Sequence, residues 1–253
     1  MNLFNAAKFL ATSIKYYPPS DPYYIKALSH LSNNYTDAEI FSIIWVNPGD
    51  IQYCSLRPFQ KWEAAGTVKE GDWDKKSLAF ESATFYDNVQ KPIYPSLEAH
   101  FVNGIPWEST PFIGEVMALI DNGTSAWGCG SVVEVRNKCN ELDDLYAAIE
   151  SGAYLTQEEQ LKNKGAVKQT RLYRLLRRFT HLKKDEVTVD IGRDGRLLFF
   201  DGKHRLSIAK ILHLDSIPVR VAVRHREWQR TREKARQGAR VGNHPDLEFV
   251  NES

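Results

Sequence analysis

The stretch from Val187 to Val223 constrains the fold more than any other part of the chain. Val187-Thr188-Val189-Asp190-Ile191 alternates apolar and polar side chains, the period-two pattern of a strand with one buried face. Gly192-Arg193-Asp194-Gly195 follows, and its Asp-Gly pair is a hairpin signal. Leu197 to Phe200 reads as a second strand that stops at Asp201-Gly202. His204 to Leu214 carries apolar residues at helical spacing, and Ile217 to Val223 is a third, almost wholly apolar strand. A strand, a turn, a strand, a glycine, a helix and a strand in so short a span leave few topologies.

The chemistry sits where the second strand meets the helix, in Phe200-Asp201-Gly202-Lys203-His204-Arg205-Leu206. The first backbone N–H groups of a helix lack intrahelical partners, and the helix dipole places partial positive charge there. Such a terminus receives anions. Gly202 lets the backbone approach a phosphate without a Cβ in the way, Arg205 can grip phosphate oxygens in a bidentate fork, and Lys203 or His204 can add charge. The plainer alternative is a strand end whose Asp201 caps the helix. The convergence of Gly202, His204 and Arg205 favours an anion site.

This motif, Asp-Gly-x-His-Arg followed by an Ala-containing helix and Ile-Pro-Val-x-Val, resembles the ParB/sulfiredoxin superfamily. The closest pattern is that of its free serine kinase. Lys203 stands where sulfiredoxin has its catalytic Cys, so sulfiredoxin chemistry is not implied. The resemblance spans 187–225, with a weaker match at 41–51. It implies an α+β fold in one domain of 1–253: a core of 41–56 and 185–225, a large, mostly helical insertion at 57–184, a helical N-terminal addition, and a charged tail at 226–253. It also implies a nucleoside di- or triphosphate (ATP, ADP or CTP) with Mg²⁺, held by Asp201, Gly202, Lys203, His204, Arg205 and Arg224.

Elsewhere the signals are local. Leu3 to Ile14 and Tyr23 to Leu31 read as helices, Phe41 to Val46 as a strand ended by Asn47-Pro48-Gly49-Asp50, and Ile51 to Cys54 as its continuation. Leu97 to Val102, Phe112 to Ile120 and Glu134 to Ser151 read as helices, the second opened by Thr110-Pro111. Thr156 to Asn163 suits a short capped helix, and Ala166 to Leu182 is basic and amphipathic. Asp72 and Asp74 flank Trp73. On an extended segment their carboxylates share a side, where they hold Mg²⁺ or serve as general base to a hydroxyl; alternatively they belong to a solvated loop anchored by Trp73. His204 is the third catalytic candidate. Arg193 and Asp194 read as a solvent-exposed tip, Arg196 as a residue able to face the nucleotide, and Arg224 and His225 as able to reach the same pocket.

Composition narrows the partners. A net charge of +1 gives no global reason to expect nucleic acid or an acidic membrane. The basic run after Arg224 either tracks a phosphate backbone or forms a solvated helix, the reading preferred here. No apolar run approaches the roughly 20 residues of a membrane span. Cys54, Cys129 and Cys139 are odd in number and far apart, which fits a reducing cytoplasm, and Cys129 in Trp127-Gly128-Cys129-Gly130 reads as a small buried residue before a reactive one. The leading expectation is a nucleotide-dependent phosphotransferase acting on a small-molecule hydroxyl. The alternatives are a ParB-like nucleotide-gated module and a DNA-binding protein or nuclease.

Overall fold

A computed structural model describes residues 34–38, 43–59, 64–152, 154 and 186–250. The readings for 3–14, 23–31, 156–163 and 166–182, and the first two residues of the 41–46 run, lie outside the described residues. The described chain is a mixed α/β structure built on a seven-stranded sheet.

The sheet grows from the segment that the sequence marks most strongly. Strands β5 (Val187–Ile191) and β6 (Leu197–Asp201) form an antiparallel hairpin through the turn at 192–196. Helix α4 (Lys203–Ile211) then carries the chain across to β7 (Ile217–His225), which lies parallel to β5. Parallel neighbours need such a crossover. Alternation does the rest: Val187, Val189, Ile191, Phe199, Val219 and Val221 all point to the face that packs Leu206 and Ala209 of α4.

Around this centre, β1 (Ile43–Val46) pairs antiparallel with the first half of β7. Asn47 then accepts from the Gly49 amide and starts a 3₁₀ turn at Pro48–Asp50, as the Asn-Pro-Gly-Asp run predicts. Strand β2 (Tyr53–Ser55) lies beside β6. Two short strands inside the expected insertion also join this sheet: β3 (Thr67–Lys69) on the second half of β7 and β4 (Ser77–Ala79) on β2. The segment after residue 57 is thus partly core.

Helices α1 (Tyr94–Phe101), α2 (Pro111–Asp121) and α3 (Val132–Glu150) occupy the three spans read as helices. They bury a second core of Leu97, Phe112, Ile113, Trp127, Val135 and Leu142, which reaches Ile211 of α4. A reciprocal cap opens α3: Ser131 accepts from the Glu134 amide, and the Glu134 carboxylate accepts from the Gly130 amide. Thr110 stands at the start of α2 as expected, but its hydroxyl donates to the Trp107 carbonyl and makes no cap.

The charged tail is helical, as read, but packed instead of solvated. Residues Arg226–Arg236 form helix α5, and Pro245–Val250 a 3₁₀ helix packed against it. Trp228, Gln229, Arg232, Ala235, Asp246 and Leu247 are buried. Trp228 and Ala235, two turns apart, are the only apolar residues of this mostly charged helix, and they reach the sheet together with the buried Gln229 and Arg232.

Candidate functional site

Gly202 holds the junction between β6 and α4. Its φ of 91° lies in the left-handed region, and a Cβ there would come within 2.9 Å of the Val187 Cα. The turn therefore requires glycine on two counts. No side chain caps α4 from this position. The Asp201 carboxylate instead accepts from the Gly202 amide at 3.0 Å.

The next three side chains diverge. Lys203 lies over aromatic faces, its Nζ 4.6 Å from the Tyr86 ring centroid and 5.5 Å from that of Phe85. His204 lines a cavity of about 540 Å³ between α4 and the helical layer, with Tyr86, Trp127, Lys138, Glu141 and Leu142. Arg205 turns into the interior. Its side chain is 8% exposed, its Nη2 stands 3.5 Å from Glu186, and its guanidinium lies 4.7 Å from the Tyr154 ring centroid. Its guanidinium is thus held in the interior by a buried ion pair and a cation–π contact.

The cavity wall is built by residues that sequence reasoning did not select. Trp127 adopts φ 54°, a region that bulky side chains occupy only when the surroundings force it. Three contacts do so here. Its indole N–H donates to the Tyr86 hydroxyl at 3.0 Å, its carbonyl accepts from the Lys138 ammonium, and its ring meets Phe112 edge-on. The His204 ring stands edge-on to it, with centroids 6.3 Å apart. The Trp-Gly pair at 127–128 is the sequence signal for this wall. That cysteine is buried, as its plainer reading held.

Electrostatics separates the groups. Burial, helped by the Lys203 and Lys138 charges, lowers the His204 pKa to about 4. The imidazole is neutral at pH 7, and its buried Nε2 has no hydrogen-bond partner among the described residues. An unpaired buried nitrogen is costly and marks a position that a ligand, water or ion can complete. Burial pushes the Tyr86 phenol up to about 12, against the lowering effect of the Trp127 hydrogen bond. Its oxygen accepts from Trp127, so its proton remains to be donated. The wall therefore presents a phenol donor, an ammonium, a neutral imidazole and the Glu141 carboxylate beside apolar surface.

The remaining candidates sit at the other end of the sheet. Asp74 contacts Arg193 just before β6, whereas Gly202 follows its last residue. Five strand residues at about 3.3 Å each separate them by roughly 16 Å. Asp72 and Asp74 do face one side, but from a turn at 73–75 in place of an extended segment, and both bind Arg193. Arg193 is thus no free solvent-exposed tip. Arg196 pairs with Asp194. Arg224 pairs with Asp246, and His225 contacts the Gly71 carbonyl at the same end. The structure joins Asp201, Gly202, Lys203 and His204 at one end and Asp72, Asp74 and Arg224 at the other.

Among the described residues no group of three or more His, Cys, Asp or Glu is placed to hold a metal ion, and no helix is long and apolar enough to cross a membrane. Comparison with known proteins returned no matching family model, no matching curated protein and no matching solved structure.

Proposed function

We propose that this protein binds a nucleoside phosphate at the mouth of α4 and transfers a phosphoryl group to a small-molecule hydroxyl, in the manner of the nucleotide-binding ParB/sulfiredoxin-like proteins that its 187–225 motif resembles. The observation that carries the proposal is His204: neutral, with a buried unpartnered Nε2, at the wall of a 540 Å³ cavity that opens beside the first turn of a helix. The cavity suits a part-planar anion, since it joins aromatic and leucine surface to the Lys138 ammonium. The parallel β5–β7 pair, linked through the Gly202 turn and α4, supports the resemblance.

In this reading the α4 amides, Lys203 and Lys138 hold phosphate oxygens, and Trp127, Tyr86 and Leu142 take the organic part. His204 accepts the hydroxyl proton, with Glu141 as the carboxylate of the same cavity. Charge neutralisation of the transferring group would come from Mg²⁺ carried by the nucleotide phosphates, since the described residues offer no metal-holding cluster of their own. Asp72 and Asp74 have no part in this reading, because they stand at the other end of β6 and are bound to Arg193. Nothing favours nucleic acid: Arg232 and Arg236 of the basic tail are paired with Asp37.

The test is thermal stability against ATP, ADP, CTP and GTP with Mg²⁺, for wild type and His204→Gln. Ligand binding to the folded state raises the melting temperature by mass action. A shift for one or more nucleotides that is lost in the variant supports the site. No shift with any of them overturns it.

A further inference from the structure

A second cavity, of about 590 Å³, lies at the opposite end of α4 and is lined by Gln52, Tyr53, Glu81, Tyr94, Lys210 and His213. It shares no lining residue with the first. Lys210 is its unusual member. The side chain is 9% exposed, and its Nζ has no hydrogen-bond acceptor among the described residues. The Glu81 carboxylate is the nearest counter-charge, at 3.9 Å, and the Phe80 ring centroid lies 5.8 Å away. Burial of the side chain disfavours the charged form, while its amine end faces the cavity.

We propose that Lys210 is a carbonyl-reactive amine that forms a Schiff base with a neutral, hydroxylated aldehyde, such as an open-chain sugar. This goes beyond the nucleotide reading and does not depend on it. Two features set the ligand class. Glu81 and Asp50 both act on Lys210, and the carbonyl end of α4 adds partial negative charge, so a ligand carboxylate is repelled. The amide of Gln52, the phenols of Tyr53 and Tyr94 and the imidazole of His213 offer hydrogen bonds to hydroxyl groups.

The step balances as follows. Glu81 takes a proton from the Lys210 ammonium. The amine lone pair bonds to the aldehyde carbon, the carbonyl electron pair moves to oxygen, and a nitrogen proton follows to give the carbinolamine. Glu81 returns its proton to the hydroxyl, which leaves as water while the nitrogen lone pair forms the iminium. Burial lowers the Lys210 pKa, partly offset by Glu81 and Asp50, which enriches the reactive free amine.

The experiment uses the wild-type chain with glyceraldehyde and cyanoborohydride at pH 7, followed by peptide mapping. Lys210 should be alkylated severalfold faster than the exposed Lys75, since a lowered pKa raises the free-amine fraction. Glu81→Gln should move the pH midpoint of Lys210 labelling downward and leave that of Lys75 unchanged; Glu81 is a surface residue, so the fold should survive. With glyoxylate, an aldehyde that carries a carboxylate, the Lys210-to-Lys75 labelling ratio should be lower than with glyceraldehyde. Labelling of Lys210 no faster than Lys75 overturns the reactive amine, and an equal or higher ratio with glyoxylate overturns the ligand class.

Discussion

The Asp74 carboxylate accepts both the backbone N–H of Arg193, at 2.7 Å, and its guanidinium, at 2.7 to 3.2 Å. Asp74 is fully buried, so the contact fastens the β5–β6 turn to the turn that follows β3. Asp74→Asn keeps the size and removes the charge. It should cost about 2 kcal/mol in chemical denaturation, below the range for fully buried pairs because the arginine is partly exposed. Asp72 is mostly exposed, and Asp72→Asn should leave stability unchanged. Equal effects of the two changes would mean that burial does not distinguish them.

Asp74 and Asp246 should dominate acid denaturation. Burial acts to raise both, but Arg193 prevails at Asp74, and Arg224, Arg232 and Trp228 prevail at Asp246, so each falls to about 2 from 3.8. A carboxylate lowered in the folded state contributes stability that is present above its unfolded pKa and lost as pH falls through the folded one. Melting temperature should therefore drop between pH 4 and pH 2, and Asp246→Asn should flatten that drop. A slope unchanged in the variant would reject this assignment.

His204 should act in a different window. Its pKa is lowered from 6.5 to about 4, so the unfolded chain takes up a proton first as pH falls. Its contribution is complete above pH 6.5 and is lost toward pH 4. His244 is lowered too, chiefly by burial, and shares the window. His204→Gln should reduce the stability slope between pH 6.5 and 4 without removing it. Urea titrations at half-unit steps would show this, and an unaltered slope would mean that His204 ionises freely in the folded state.

Gly202→Ala tests the junction itself. A left-handed φ costs a non-glycine residue about 1–2 kcal/mol, and the contact with the Val187 backbone adds overpacking of about 1–3 kcal/mol. The variant should lose about 2–4 kcal/mol in denaturant melts. A near-neutral result would show that the hairpin and α4 can separate at low cost.

Much of the fold was legible before any coordinates. Strands β5, β6 and β7 and helix α4 fall within a few residues of their reading, because alternation, Asp-Gly and Gly202 are local signals. Helix α3 follows from its spacing and cap, whereas α1 and α2 lie in a weakly periodic stretch and have no side-chain cap. Strands β3 and β4 were not legible: three residues each carry no periodicity, and they exist because β7 and β2 offer unpaired edges. The burial of α5 was hidden by its charge, since Arg232 is accommodated only through Asp37 and Asp246, distant in the chain.

The candidate site divides along the same line. The sequence alone determined that Gly202 begins a helix with Lys203, His204 and Arg205 in its first turn, because backbone conformation and helix polarity are properties of neighbouring residues. Only the tertiary structure decided that His204 lines a cavity while Arg205 is spent on Glu186, and that Asp72, Asp74 and Arg224 lie at the far end of the sheet. Side-chain direction around a helix and the choice of ion-pair partner depend on which surfaces pack against it. Those surfaces come from Trp127, Lys138, Glu186 and Asp246, whose meeting with this segment no local pattern encodes.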